Sequence, residues 1–83
     1  MSHIEQSQIV RAIVAEVLEV DPELVQGDTN FVLDLDADSL RIIEILSRLE
    51  SALGLTIDQA QLARMISLNS VLDVLADSVV ATA

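Results

Sequence analysis

The residues of this chain that could do chemistry cluster in one short stretch, where acidic side chains alternate before a serine. Residues 34–40 read Asp-Leu-Asp-Ala-Asp-Ser-Leu. Alternating carboxylates resemble the opening of an EF-hand calcium loop, but that loop needs glycine at its sixth position and glutamate at its twelfth. Those positions hold Ser39 and Ile45. We therefore predict no dedicated metal site here.

Catalysis is not predicted either, because the usual nucleophiles and bases are scarce. The chain has no cysteine, lysine or tyrosine, and its one histidine is His3, near the N-terminus. An activated Ser39 would have only carboxylates nearby, which cannot form a Ser-His-Asp triad. We predict that the chain is not an enzyme and has no catalytic residues. A small hydrolase using Ser39 is the weakest alternative.

The charge of the chain is strongly negative. Fourteen acids oppose four arginines, and the formal net charge is −10. Residues 16–38, called the acidic segment below, contain eight carboxylates and neither lysine nor arginine. Such a field repels nucleic acid and steers a basic protein surface towards the chain. We expect no nucleic-acid partner.

Length and hydropathy predict one small soluble domain. The first residues do not lead from basic groups into an apolar run, so no signal peptide is expected. No apolar stretch approaches membrane-spanning length, and the lack of cysteine excludes disulfides. We predict a single cytoplasmic domain over residues 1–83, monomeric when alone and not bound to membrane.

A first helix and a long loop are predicted before Ser39. Ser2 and Glu5 have capping-box spacing, and Asp21-Pro22 is expected to end a helix over residues 3–20. Its apolar residues recur at helical spacing: Ile9, Val10, Ile13, Val14, Val17 and Leu18. The connection over residues 21–38 is expected to be pinned to the core by four apolar residues: Phe31, Val32, Leu33 and Leu35.

A second main helix is predicted from Ser39 to about Leu53, with Gly54 as its stop. Its buried stripe is Ile42, Ile45, Leu46, Leu49 and Leu53. Thr56 and Gln59 have capping-box spacing and predict a short helix through about Met65. The face of a final helix is traced by Leu68, Leu72, Leu75 and Val79. The prediction is an all-α fold, a small four-helix bundle with three main helices, one short helix and a long loop between helices 1 and 2.

Ser39 lies at the junction of this loop with the second helix. On position alone, a serine there is expected to be the N-cap. Leu40 and Ile43 lie beside the buried stripe and are expected to form an exposed apolar patch that awaits a partner.

These residues resemble the modification motif of the acyl carrier protein family, the phosphopantetheine-binding carrier proteins. In that motif Asp-Ser-Leu opens the second helix and a glutamate follows five residues after the serine. Asp38, Ser39, Leu40 and Glu44 match. The likeness continues through Gly-Leu-Thr-Ile at residues 54–57 to the last helix and covers essentially the whole chain.

The resemblance implies that Ser39 carries covalent 4′-phosphopantetheine, transferred from coenzyme A by a separate magnesium-dependent phosphopantetheinyl transferase. The thiol of this arm would hold acyl groups as thioesters, and Asp38 and Leu40 would flank the cofactor. Other implied partners are acyltransferase, ligase or ketosynthase enzymes. The predicted partner surface is Leu40, Arg41, Ile43, Glu44 and Ser47.

The second helix departs from the fatty-acid-type members, in which it is strongly acidic. Here Arg41 and Arg48 balance Glu44 and Glu50, and Arg41 is predicted to meet an acidic or polar partner group. The departure favours a stand-alone carrier of a polyketide or related specialised pathway. A fatty-acid-synthesis carrier, an aminoacyl or peptidyl carrier and, from another class, a non-carrier helical adaptor are the alternatives. Because the predicted core is aliphatic except for Phe31, its helices are also expected to part and shelter some of an acyl chain.

Overall fold

The computed structural model describes the backbone of residues 3–82 and the side chains of residues 4–77, and no strand occurs in this part of the chain. It has three α-helices, α1 (His3–Leu18), α2 (Ser39–Leu53) and α3 (Leu68–Thr82), with a short 3₁₀ helix over Gln59–Arg64 and a 3₁₀ turn over Pro22–Leu24. Helix α1 packs against α2 and α3, and the short helix contacts both α2 and α3. The predicted all-α fold with three main helices and one short helix is confirmed.

Helix α1 ends two residues before the predicted position. Glu19 adopts a left-handed conformation with φ 57°. The Glu19 N–H donates to the Glu16 carbonyl at 3.3 Å, and the Val20 N–H donates to the Ala15 carbonyl at 3.0 Å. These two bonds close a Schellman motif, so the backbone leaves the helix before it reaches the proline. Ser2, one half of the predicted capping box, lies outside the described residues.

Helix α2 has the predicted bounds. Gly54 has φ 64°, and its N–H donates to the Glu50 carbonyl at 2.9 Å. At the other end Asp38 is in an extended conformation, and its Oδ1 accepts the Arg41 N–H at 3.0 Å. Asp38 is therefore the N-cap, and the positional expectation that Ser39 caps the helix is wrong.

The short helix also starts differently from the prediction. Asp58, and not Thr56, is its N-cap, and Asp58 Oδ1 accepts the Ala60 N–H at 2.9 Å. Thr56 and Gln59 therefore do not form the predicted capping box. The six residues wind as a tighter 3₁₀ helix, which suits a short connector between two longer helices.

One hydrophobic core joins the three helices and the loop between α1 and α2. The helical stripe predicted for α2 faces this core, and so does the stripe predicted for α1 except for Ile9, which is only partly buried. The side chain of Val79 lies outside the described residues. No buried polar or charged residue interrupts the core in the described part. Its buried residues are Val10, Val14, Ala15, Val17, Val25, Phe31, Ala37, Ile42, Ile45, Leu46, Leu49, Ile57, Met65, Leu68, Val71, Leu72, Val74 and Leu75.

The loop is pinned by partly different residues than predicted, since Val25 and Ala37 also belong to the core. Phe31 is fully buried and Leu35 is partly buried, but Val32 is 44% exposed and Leu33 is 81% exposed. The cause is a turn around Asn30, whose Oδ1 accepts the N–H groups of Val32 and Leu33 at 2.9 Å each. This turn directs two of the four predicted anchors to solvent.

Two backbone hydrogen bonds tie the loop to the start of α3. The Phe31 N–H donates to the Ile66 carbonyl at 2.7 Å, and the Asn69 N–H donates to the Gly27 carbonyl at 3.0 Å. A Cβ on Gly27 would lie 2.9 Å from the Asn69 side chain, so glycine permits this close approach. Within the described part of the chain, no helix combines the length and apolar character that crossing a bilayer requires.

Candidate functional site at the start of helix α2

Ser39 is exposed at the first turn of α2 with its hydroxyl free. The cap position is filled by the preceding Asp38, which accepts the Arg41 N–H. No hydrogen bond among the described residues engages Ser39 Oγ. Because its neighbour satisfies the helix end, the hydroxyl remains available to an external group.

The backbone beside Ser39 favours an anion. Among the described residues, no hydrogen bond uses the N–H groups of Ser39 or Leu40, which lie at the first two positions of α2. Unpaired N–H groups and the positive end of the helix dipole stabilise a negative group at this end. The carboxylate of Asp38 opposes this effect at close range.

An apolar cavity of about 550 Å³ opens beside Ser39, between α2, the short helix and the residues that follow it. Three half-exposed side chains belong to its wall, with exposures of 44% for Val32, 43% for Ile43 and 43% for Ile66. The complete lining is Val32, Ala37, Asp38, Ser39, Ile42, Ile43, Leu62, Ala63 and Ile66. Apart from Asp38 and Ser39, this lining is apolar.

Sequence reasoning missed the far wall of the cavity, formed by Leu62, Ala63 and Ile66. Ile66 was detectable in principle, because it is a large apolar residue in the gap between the short helix and α3 and outside every predicted stripe. Leu62 and Ala63 carried no such signal, since apolar residues of a short helix are expected in the core.

Four of the five predicted partner-binding residues share one face of α2. Leu40, Ile43, Glu44 and Ser47 follow at helical spacing and form what we call the outer face of α2. Leu40 is 75% exposed, and the side chain of Glu44 is 42% exposed. The expected exposed apolar patch of Leu40 and Ile43 is thus present.

Arg41, the fifth of these residues, turns towards the end of α1. Its Nη1 donates to the Val17 carbonyl at 3.0 Å, and its Nη2 lies 3.7 Å from Glu19 Oε2. The Val17 carbonyl belongs to the last turn of α1, where carbonyl groups lack intrahelical donors. Arg41 thereby ties the first turn of α2 to the last turn of α1.

Arg48 joins the same two helices further along. Its Nη1 donates to Glu16 Oε1 at 2.8 Å, and its Nη2 lies 3.3 Å from Glu44 Oε2. The hydrogen bond that Arg48 donates to Glu16 raises the pKa of the Arg48 guanidinium above its ordinary value. The separation of 32 residues between Glu16 and Arg48 hid this pair from sequence reasoning.

The acidic residues before Ser39 serve the backbone of the loop. Asp34 Oδ2 accepts the Asn30 N–H at 2.8 Å, and the Asp34 N–H donates back to the Asn30 carbonyl at 2.8 Å. Asp36 has a left-handed φ of 58°. Among the described residues, no three His, Cys, Asp or Glu side chains lie together as a metal site would require.

This arrangement suits a serine that receives a group and does not suit one that catalyses. Its hydroxyl is exposed beside free N–H donors and an apolar cavity, and its neighbour Asp38 is engaged in capping.

Comparison with known proteins agrees with this geometry. Residues 8–75 match a family model described as the phosphopantetheine attachment site. The chain is 42% identical over 73 residues to polyketide-8 synthase acyl carrier protein 1 of Streptomyces avermitilis, which covers 88% of this chain and 87% of the relative. It is 37% identical over 81 residues to the acyl carrier protein of Thermosynechococcus vestitus, covering 98% of this chain and 100% of the relative. It is also 35% identical over 69 residues to an acyl carrier protein of Helicobacter pylori, covering 83% and 88%.

These matches remove the hydrolase and adaptor alternatives, because the family model spans most of the chain and describes a site for a prosthetic group. The family also implies synthase and transferase enzymes as partners in general. The chain belongs to the acyl carrier protein family, and it is a carrier of acyl groups on serine-bound 4′-phosphopantetheine and not an enzyme.

Proposed function

We propose that Ser39 is the attachment point of 4′-phosphopantetheine and that residues 1–83 act as one carrier domain for acyl intermediates of a polyketide or related specialised pathway. The domain is proposed to act in the cytoplasm as a monomer. A phosphopantetheinyl transferase loads it, and acyltransferase, ligase or ketosynthase enzymes then use the arm.

One observation carries the assignment of Ser39. Its hydroxyl is exposed and unbonded among the described residues, while the adjacent Asp38 satisfies the helix end. A serine that capped α2 would lose a stabilising hydrogen bond on modification. Ser39 has no such bond to lose.

The neighbouring groups fit the arm. The free N–H groups of Ser39 and Leu40 can donate to a phosphodiester oxygen, and the apolar cavity lies beside the same serine. Asp38 and Leu40 flank the attachment atom. When bound, the group supplies the thiol that the chain lacks and holds the acyl group as a thioester.

The choice of pathway rests on two observations. The relative at 42% identity is named as a polyketide synthase carrier, and the charged residues from Leu40 to Leu53 are two arginines and two glutamates, so this helix is formally neutral. Fatty-acid synthesis is the second candidate, because a relative named simply as an acyl carrier protein matches over its whole length.

Intact-protein mass tests the site directly. The chain is incubated with coenzyme A, magnesium and a broad-specificity phosphopantetheinyl transferase. We expect a gain of one phosphopantetheinyl mass, complete loss of that gain in Ser39→Ala, and full modification of the matched control Ser51→Ala, at an exposed serine outside the predicted partner surface. Modification of Ser39→Ala, or no gain with several transferases, would refute the assignment.

The cavity is proposed to shelter the first part of the cargo. In NMR spectra of the acylated form, side-chain signals of Ile43, Leu62 and Ile66 are expected to shift relative to the form with a free thiol, because these residues line the cavity. Identical spectra in both forms would show that the acyl chain stays in solvent.

A further inference from the structure

The carboxylates of α2 are both occupied within the chain. Glu44 Oε2 lies 3.3 Å from Arg48 Nη2. Glu50 Oε2 accepts the N–H of Ile57, in the connection after α2, at 2.8 Å. The sequence provides no other acid in this helix. A basic side chain of a partner that approaches α2 therefore meets only carboxylates that already have a partner within the chain.

Of the two, Glu44 is the one that an enzyme reaching Ser39 must cover. It lies on the outer face of α2 with Leu40 and Ile43, within two turns of the serine. Its side chain is 42% exposed, so its charge is accessible as well as paired. Any enzyme surface that closes over Leu40 and Ile43 also faces the pair of Glu44 and Arg48.

Arg48 is fixed in this position from two sides. Glu16, in the last turns of α1, holds its Nη1 at 2.8 Å, while Glu44 lies against its Nη2. A guanidinium has several donors in a fixed plane and can serve two carboxylates at once. The contact to α1 keeps the arginine beside Glu44 even when α2 is approached from outside.

The acidic segment contains carboxylates that are not in ion pairs with arginine. Among the described residues, no ion pair involves an acid between Asp21 and Asp38. The same stretch contains no lysine or arginine of its own. Long-range attraction of a basic surface is consequently directed to the acidic segment, while short-range contacts on α2 are apolar.

We propose that Arg48 is a specificity determinant that masks Glu44, so that this carrier is used by enzymes whose surface opposite the outer face of α2 is apolar and lacks a basic group at Glu44. This inference rests on the proposed function of Ser39. Enzymes that would bind α2 through a basic side chain at Glu44 are disfavoured, because this side chain must first displace Arg48 from Glu44.

The experiment unmasks Glu44 and measures loading. The probe is a broad-specificity phosphopantetheinyl transferase chosen for a basic carrier-facing surface, and kcat/KM is measured with coenzyme A and magnesium at low salt. Arg48→Gln is expected to raise kcat/KM by about three- to tenfold, because a carboxylate on the docking face becomes free. The gain should shrink at high salt, since the charges are exposed.

The matched control is Arg64→Gln, which makes the same charge change at a residue that does not belong to the outer face. Arg64 pairs with Asp77 at 2.9 Å on the side of α3. It is expected to leave kcat/KM within about twofold, because its effect is only that of net charge. Arg48→Lys, which keeps a cation beside Glu44, is expected to load at the wild-type rate, and circular dichroism confirms the fold of each variant.

A second variant in the same background identifies the group that is unmasked. Glu44→Gln combined with Arg48→Gln is expected to return kcat/KM to the wild-type value. The inference is overturned if Arg48→Gln loads no faster than Arg64→Gln, or if the double variant keeps the gain. If the wild-type chain gains no phosphopantetheinyl mass at all, the assignment of Ser39 fails first; if it loads normally and only the gain is missing, the masking by Arg48 alone is refuted.

Discussion

Replacing the N-cap of α2 separates the roles of two adjacent residues, Asp38 and Ser39. Asp38 Oδ1 accepts the Arg41 N–H at 3.0 Å. In Asp38→Ala that N–H loses its acceptor, and the first turn of α2 loses a negative charge from its positive end. In Ser39→Ala no hydrogen bond among the described residues is lost.

The expected magnitudes follow from these contacts. Loss of an N-cap destabilises a protein by about 1 kcal/mol. For a chain of 83 residues this lowers the melting temperature by roughly 4–8 °C. Ser39→Ala is expected to change the free energy of unfolding by less than about 0.5 kcal/mol, as exposed positions without special contacts do.

Urea unfolding followed by circular dichroism measures both values, and Asp38→Asn is the matched control. Asparagine keeps a side-chain oxygen for the Arg41 N–H and loses only the charge, so its effect should be clearly smaller than that of alanine. The amide proton of Arg41 should shift in the NMR spectrum of Asp38→Ala and stay near its wild-type position in Asp38→Asn. Equal destabilisation by Ser39→Ala and Asp38→Ala, or no destabilisation by Asp38→Ala, would refute the assignment of the cap.

Three further changes test the core, the end of α2 and the contact from α2 to α1. Phe31→Ala should destabilise the fold by about 3–5 kcal/mol, which is a large part of the free energy of unfolding of a chain of this size, whereas Phe31→Leu should destabilise it much less. Thermal melts distinguish the two variants, and a small effect of alanine would mean that Phe31 does not anchor the loop. Gly54→Ala should lower stability by about 1–2 kcal/mol through backbone strain alone, because a Cβ there meets nothing within 4 Å; Gly54→Asn should lose less in urea titrations, and equal losses would contradict the left-handed assignment. Arg41→Glu should slow loading by the pathway enzymes, by placing a carboxylate beside Glu19 and removing the cation offered to the partner; unchanged loading rates would refute a partner contact at Arg41.

The helices themselves were largely predictable from the sequence. The stripe of α2 repeats at helical spacing, and Gly54 supplies the left-handed residue that ends it, so both bounds of α2 were found. The end of α1 was not predicted correctly, because Glu19 adopts a left-handed φ, which is not expected of a glutamate. Caps were also misassigned, since the choice between Asp38 and Ser39 depends on which residue is extended.

Features that depend on tertiary contact escaped sequence reasoning for a different reason. The exposure of Val32 and Leu33 follows from the turn around Asn30, whereas their apolar character alone predicted that both side chains are buried. The pairing of Arg48 with Glu16 requires the relative placement of two helices. Local patterns carry the period of a helix but not the distance between residues on different helices.

The hydrogen bonds from the loop to the start of α3 have a consequence for how the molecule opens. The N–H groups of Phe31 and Asn69 do not form hydrogen bonds within a helix. The Phe31 N–H, in the loop, donates to Ile66 just before α3, and the Asn69 N–H, in α3, donates to Gly27 in the loop. An opening that frees one of these protons to exchange with solvent must separate the loop from the start of α3, so both should show the same free energy of opening and report one cooperative unit. The long loop would then separate from the start of the last helix in a single step, and this step would also open the cavity wall at Ile66.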